Sequence, residues 1–260
     1  MMKMKSLLSS IRGSGKGVLA RLHEDFAAGT ADRSWVAPYA VNAEEAKQIT
    51  AVTYGMISMV DDAIGRVLEH LKTLGLDQDT VVIFTSDHGD WMGDHGIMQK
   101  GPLHYQGLIR VPFIWADPAR PAASEVSSEL AGSLDIARTV LMRAGLAPAN
   151  GMQGQNLLDI LQAGGRSTHD GILIEGQTSR PYLGMPHQVR IRTFCDARWR
   201  MTLWEGLPFG ELYDLQNDPG EIVNLWDSTS HQTQRASLFE RMAWKMIDLQ
   251  DRSPFQVAEA

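Results

Sequence analysis

The chain of 260 residues is 43% hydrophobic and 21% charged, with a formal net charge of −7, an ordinary balance for a globular protein. That length allows one large domain or a domain with an appendage, and the acidic balance argues against a nucleic-acid partner, which would call for clustered Lys and Arg. Cys195 is the only cysteine, which excludes an intrachain disulfide and paired-cysteine zinc motifs and fits a reducing compartment and export equally.

Residues 1–41 show no sustained periodicity and are expected to form an irregular lead-in. The opening, "MMKMKSLLSSIRGSGKGVLARL", is basic without the apolar core of a secretory signal, and no apolar run is long enough to span a membrane. The expected compartment is cytoplasmic, with no membrane partner. "GSGKG" at 13–17 suggests a phosphate loop, but that motif needs Gly where Ser10 stands and Ser or Thr where Gly17 stands. A flexible polar lead-in is the better reading.

A strong helix follows. Asn42 and Glu45 have capping-box spacing, and Glu44 and Glu45 suit the positive end of a helix dipole. Ile49, Val52, Met56, Met59, Val60, Val67, Leu71 and Leu74 then recur at three- and four-residue intervals, an apolar stripe expected to face a core. Gly75 is the stop. "TVVIFTS", 80–86, is a β-branched apolar run typical of a strand buried on both faces, and "RVPFIWA", 110–116, looks like the next strand. The order of helix, short turn and buried strand predicts a parallel sheet covered by helices. "SLDIARTVLMRAGL", 133–146, reads as another amphipathic helix, with Ser133 as its cap.

From about 170 the rhythm changes to short strand-like runs, "GILIEG", "HQVRIRTF", "WRMTLWEG" and "GELYDL", broken by turn residues. They predict an antiparallel sheet with a closing helix near 231–250. The expected class is therefore α/β: a sheet between helices over 42–165, then a small antiparallel subdomain with a helix over 166–260.

The chemistry concentrates in "VVIFTSDHGDWMGDHGIMQK", 81–100, where Asp-His-Gly occurs twice. Asp87 and His88 directly follow a strand, and in open α/β sheets ligands bind beyond the carboxyl ends of strands. A carboxylate and a neutral imidazole can both ligate a metal, and Gly89 lets the backbone turn beneath them. The alternative is a strand-end turn in which both side chains satisfy backbone groups. The second pair, Asp94 and His95, lies between Gly93 and Gly96 and reads better as an Asx-type turn. Lys100 could clamp a tetrahedral anion beside the metal; taken singly, it and His104 read as solvated loop residues. Arg110 reads as a structural ion-pair partner. Trp91, Tyr182 and Trp204 could line a pocket but are read as packing residues. Cys195 reads as a small buried hydrophobe. Phe239, Met242, Trp244 and Met246 on the closing helix face either a partner subunit or the small sheet.

"TVVIFTSDHGDWMGDHGIMQKGPLHYQGLIRVPFIWADP" resembles the sulfatase family of the alkaline-phosphatase-like superfamily. "GELYDLQNDPGEIVNLW" is similar to that family's C-terminal signature, "VRIRTFCDARWRMTLWEG" to the strands before it, and "YGMISMVDDAIGRVLEHLKTLGL" to the helix leading into the metal strand. The resemblance covers about residues 38–226. It implies that Asp87 and His88 ligate a divalent metal: calcium first, with manganese, magnesium and zinc as alternatives. Lys100 would contact the sulfate, and His104 is carried over as a second catalytic position. Many sulfatases have Asp-Asn where this chain has Asp-His, a form that resembles the phosphonate monoester hydrolase and choline-sulfatase-like branches.

The family's nucleophile is a cysteine in C-x-P-S-R, converted to formylglycine, and its first metal carboxylates come from an earlier strand; neither is in this sequence. Cys195 lies downstream in "TFCDAR". Asp61 and Asp62 fall mid-helix, where adjacent side chains diverge too far to share an ion. The expected function is metal-dependent hydrolysis of sulfate monoesters, incomplete in this chain alone, with the C-terminal portion of the fold present. The alternatives are a phosphonate or phosphate ester hydrolase, or a catalytically inactive fragment serving as a binding or assembly module. Expected partners are a small sulfate or phosphonate ester and either a homo-oligomer or a complementing N-terminal segment.

Overall fold

A computed structural model describes residues 24, 27–29, 39–120, 126–161, 165–178, 188–207 and 209–251; the 13–17 stretch, Tyr182 and most of the lead-in lie outside them. The chain divides into two compact units, Met1–Ala123 with Thr178–Gln188, and Ser124–Gln177 with Val189–Ala260. The dividing line thus falls ahead of the helix expected at 133–146, while the change of strand rhythm comes later.

In the first unit, β1 (Tyr39–Ala40) leads into α1 (Ala43–Thr73). The Asn42 carboxamide oxygen accepts from the Glu44 and Glu45 amides at 3.0 and 2.9 Å, and the Glu45 carboxylate accepts from the Asn42 amide at 3.0 Å. This reciprocal box satisfies amides that have no partner within the helix. Gly75, at φ 68°, turns the chain away after the last turn. The apolar stripe, however, does not face a core. No residue of α1 is buried, and Val52, Met59 and Val67 are 65%, 71% and 68% exposed. Only a narrow edge that includes Ile49, Thr53, Ile64 and Leu71 is partly covered.

β2 (Val82–Thr85) pairs with β4 (Phe113–Ala116) in a two-stranded ribbon, Ile83 opposite Trp115 and Phe84 opposite Ile114. The pairing is antiparallel, not the expected parallel, and β2 is not buried on both faces: Phe84 is 38% and Ile114 58% exposed. The connection explains the difference. Instead of a crossover helix, it holds a short 3-10 turn (Asp94–Gly96), β3 (Ile97–Met98) and a one-turn α2 (Gln106–Ile109), so the chain folds straight back. β3 pairs with β1, Ala40 opposite Ile97. Most buried residues of this unit, Trp91, Ile97, Leu103 and Tyr105 among them, lie within that connection, with Ala40 and Val41 buried ahead of α1.

In the second unit, Ser133 makes no capping bond at the start of α3 (Leu134–Arg143). Asp135 acts instead. Fully buried, its carboxylate accepts from the Gly132 amide at 2.8 Å, the Gln155 amide at 2.7 Å and His169 Nε2 at 2.9 Å. Burial pushes its pKa up, but these hydrogen bonds, His169's foremost, outweigh that and hold it below the ordinary value. The triad of partners ties α3 to α4 (Leu157–Ile160) and to the approach to the sheet.

β5 (Ile172–Gln177), β6 (Arg190–Cys195), β7 (Trp199–Trp204) and β8 (Gly210–Asp214) form an antiparallel sheet in that order. Phe194 stands opposite Met201, and Met201 opposite Leu212. These residues, Trp199 and two side chains of α5 (Gln232–Asp248), Leu238 and Met242, form one core cluster. Arg200 is buried with Glu211 and Glu221, its guanidinium bonded to both and stacked 4.7 Å from the Tyr213 ring centroid. Trp204 is a packing residue at 3% exposure. No described helix is long and apolar enough to cross a membrane.

Candidate active site

The end of β2 projects Asp87 and His88 from the ribbon, and the connection to β4 brings Lys100 back to them. Lys100 Nζ lies 2.8 Å from His88 Nε2, and the same Nε2 lies 3.4 Å from Asp87 Oδ2. Both side chains of the pair reach solvent, Asp87 at 82% and His88 at 37% exposure. His104 follows in the same connection but is buried, as is its neighbour Tyr105.

The hydrogen bonds assign the imidazole. A carbonyl only accepts, so His88 Nδ1, 2.8 Å from the Gly89 oxygen, must carry the proton. An ammonium only donates, so Nε2 presents its lone pair to Lys100. A ring held by Nδ1–H on a carbonyl, with Nε2 open, is the form that ligates metals through Nε2. That lone pair also faces the Asp87 carboxylate, an arrangement favourable only with positive charge between or beside them; Lys100 supplies it here. The backbone amide of His88 donates to Asp87 Oδ1 at 2.9 Å and, more than any other contact, holds that carboxyl below the usual carboxylate range. Ser86 Oγ donates to the His88 carbonyl at 2.8 Å and braces the turn.

The turn beneath the pair requires glycine: a Cβ on Gly89 would stand 2.0 Å from the Gly107 carbonyl oxygen, and the Gly89 amide donates to the Leu108 oxygen at 2.7 Å. Between His88 and Lys100, three residues with side chains, Met92, His95 and Gln99, have φ of 50°, 55° and 70°. Each such residue costs on the order of 1–3 kcal/mol and persists only where surrounding contacts impose it. Those contacts are present. Trp91 is fully buried with its indole N–H on the Leu103 carbonyl at 3.2 Å, and the His95 ring stacks on Tyr105 at 3.8 Å. The Asx turn is centred on Asp90, whose carboxylate accepts from the Met92 amide at 2.9 Å; Asp94 instead opens a 3-10 turn.

Asp87 and His88 give a cation one oxygen and one nitrogen donor, a fit for part of a coordination shell. Calcium takes about six to eight ligands and magnesium six, and no cluster of three or more His, Cys, Asp or Glu forms a metal cage among the described residues. Arg110 is exposed and forms no ion pair among the described residues. Cys195 is half-buried at the end of β6. The sequence carried no sign of the left-handed residues or of the lysine–imidazole bond: neither has a spacing rule, and both follow from how the connection closes.

Comparison with known proteins defines the class. A family model described as N-sulphoglucosamine sulphohydrolase, C-terminal, matches residues 93–250, and the sulfatase model matches 20–146. The phosphonate monoester hydrolase of Agrobacterium radiobacter superposes with a TM-score of 0.73 at 29% identity, over 84% of this chain and 45% of that one. The fold is thus α/β of the alkaline-phosphatase-like kind, with a C-terminal antiparallel sheet and helix. The chain belongs to the sulfatase family of hydrolases. It is similar to the arylsulfatase of Clostridium perfringens, 33% identical over 74% of this chain and 39% of that protein. It also resembles the N-acetylglucosamine-6-O-sulfatase of Bacteroides thetaiotaomicron, 25% identical over 75% and 35%. The chain therefore spans about two fifths of the length of these curated relatives.

Proposed function

We propose that Asp87, His88 and Lys100 form the metal- and anion-binding part of a site that hydrolyses sulfate monoesters. The observation that carries this reading is the convergence of the three side chains, with the His88 Nε2 lone pair directed at Lys100 Nζ 2.8 Å away. Asp87, kept ionised by the His88 amide, and His88, kept in its Nδ1–H form by the Gly89 carbonyl, would hold a divalent cation, calcium first, with manganese, magnesium or zinc as alternatives. When bound, such an ion would neutralise charge on the ester oxygens.

The part played by the chain's own residues is electrostatic. Lys100 binds the sulfate oxyanion and stabilises the charge that develops on it. The strained segment 89–99, packed on Trp91, fixes the distance between the strand-end pair and the lysine. His104, buried in the same connection, is the second catalytic position in this reading. The chain has no C-x-P-S-R sequence, and in this reading the nucleophile and the remaining carboxylates come from polypeptide beyond these 260 residues.

Calorimetric titration of the chain with calcium, manganese, magnesium and zinc, with and without an aryl sulfate, tests the proposal. Asp87→Asn and His88→Ala are expected to weaken cation binding tenfold or more. Lys100→Met should separate the two ligands, raising cation affinity by freeing Nε2 while lowering ester affinity. Cation and ester binding unchanged in all three variants would overturn the reading and favour a binding or assembly module. A second reading, phosphonate monoester hydrolysis, is supported by the likeness to the Agrobacterium enzyme and by His88 in the Asp-His pair. Competition between an aryl phosphonate and an aryl sulfate for the cation-loaded chain decides between them.

A further inference from the structure

We infer that His95 is a positioning residue of this site: its ring, stacked on Tyr105, sets how closely Lys100 approaches His88. The inference rests on the hydrolytic reading above and adds to it a residue that acts only through the lysine.

Lys100 stands at the end of a closed loop. The Trp91 amide donates to the Gln99 carbonyl at 3.2 Å and the Gly93 amide to that of Ile97 at 2.9 Å, so 91–99 runs out and back with Asp94, His95 and Gly96 at its tip. The return limb is β3, paired with β1, and the Val41 amide donates to the Gly96 carbonyl at 2.8 Å. Lys100 itself is exposed, so its ammonium is placed by the backbone beneath it and by the bond to His88. The histidine has a different support. The Gly89 amide beside it donates to the Leu108 carbonyl at 2.7 Å, within the single turn of α2.

The loop tip ties these two supports together. The His95 and Tyr105 rings lie 3.8 Å apart between centroids and 25° from parallel. Tyr105 is buried at 2% exposure, and its carbonyl accepts from the Leu108 amide at 2.9 Å and the Ile109 amide at 3.2 Å. Next to it, Asp94 Oδ2 comes within 3.0 Å of where a Cβ on Gly107 would stand. One short turn therefore carries both the seat of His88 and the tip of the loop that delivers Lys100. His95 holds φ 55° and ψ 18°, a backbone that glycine adopts freely; what a histidine adds there is the ring contact. With that contact gone, the tip can shift on α2 and carry the lysine with it. A displacement of about 1 Å in a charge-stabilising group can cost on the order of a hundredfold.

The test is His95→Asn, which tolerates left-handed backbone and removes the ring, measured beside Lys100→Met. In the chain without cation or ester, the His88 Nε2 resonance of His95→Asn should move most of the way to its position in Lys100→Met. Aryl sulfate affinity of the cation-loaded chain should fall about tenfold, while calcium or manganese affinity holds or rises as Nε2 is released. A residue that merely supported the fold would lower both affinities together, and that result would overturn the inference. Tyr105→Leu removes the other ring, and adding it to His95→Asn should cost little beyond either change alone, because the two rings act as one contact; fully additive losses would overturn it too. The Nε2 measurement uses neither cation nor ester, so it is independent of the hydrolytic reading. Ester binding lost in Lys100→Met but intact in His95→Asn, with Nε2 at its wild-type position, sinks the role of His95 and leaves that reading standing.

Discussion

α1 and α5 carry the same kind of apolar periodicity and meet opposite fates. α5 buries Leu238 and Met242 against the sheet, at 0% and 2% exposure, while the longer α1 buries nothing. The strands divide the same way: Met201 and Leu212 are fully buried, whereas Phe84 and Ile114 stand in solvent. Apolar spacing records which face of an element needs covering, and says nothing about what covers it. Within the second unit the cover comes from the same unit; along the α1 stripe no described residue supplies it.

Substitutions should expose that contrast in stability. Phe194→Ala, in the centre of the second unit's core, should cost about 3–5 kcal/mol in urea unfolding. Arg200→Ala should cost a comparable amount, about 3 kcal/mol or more, because it leaves Glu211 and Glu221 buried without their cation. Rescue by Arg200→Met with both glutamates made Gln would show that the uncompensated charge, not lost volume, is responsible.

A pH series sharpens the same side of the comparison. The Arg198 guanidinium, at 2.7 Å, holds the Asp214 carboxyl down to about 2. The unfolded carboxyl, near ~3.9, takes up its proton first as pH falls. The stabilisation is therefore complete above about pH 5 and is lost between there and pH 2. Asp214→Asn should flatten the urea midpoint over that window by the equivalent of one proton. At the other extreme, Met59→Ala in α1 should change the stability of the chain alone by no more than about 0.5 kcal/mol, the range for exposed positions. A loss of several kcal/mol there would mean that the stripe is already covered.

Much of the fold was legible in the sequence for local reasons. The Asn42–Glu45 box is a four-residue rule, and the alternation in "RIRTF" and "WRMTLW" identified β6 and β7 to within a few residues. The antiparallel pairing of β2 with β4 was not legible, because it depends on a connection that folds back without a crossover helix. Asp87 and His88 stood out as an acid–imidazole pair directly after a strand, but the tie to Lys100 came from resemblance, since 12 residues separate the histidine from the lysine and no helical or strand period relates them. Their closeness depends on Trp91 packing and on left-handed backbone at Met92, His95 and Gln99, which nothing in those residue types announces. Ser133 looked like a helix cap, yet it makes no capping bond, and buried Asp135 instead joins the Gly132 and Gln155 amides and His169 in a tertiary network that only the folded chain contains.

The imidazole of His88 offers the most direct test of the site. A long-range proton–nitrogen correlation spectrum should show Nδ1 protonated and Nε2 unprotonated, and adding a divalent cation should shift Nε2 in the wild-type chain but not in Asp87→Asn. Protonation at Nε2, or an Nε2 signal indifferent to the cation, would contradict the proposed role of Asp87, His88 and Lys100.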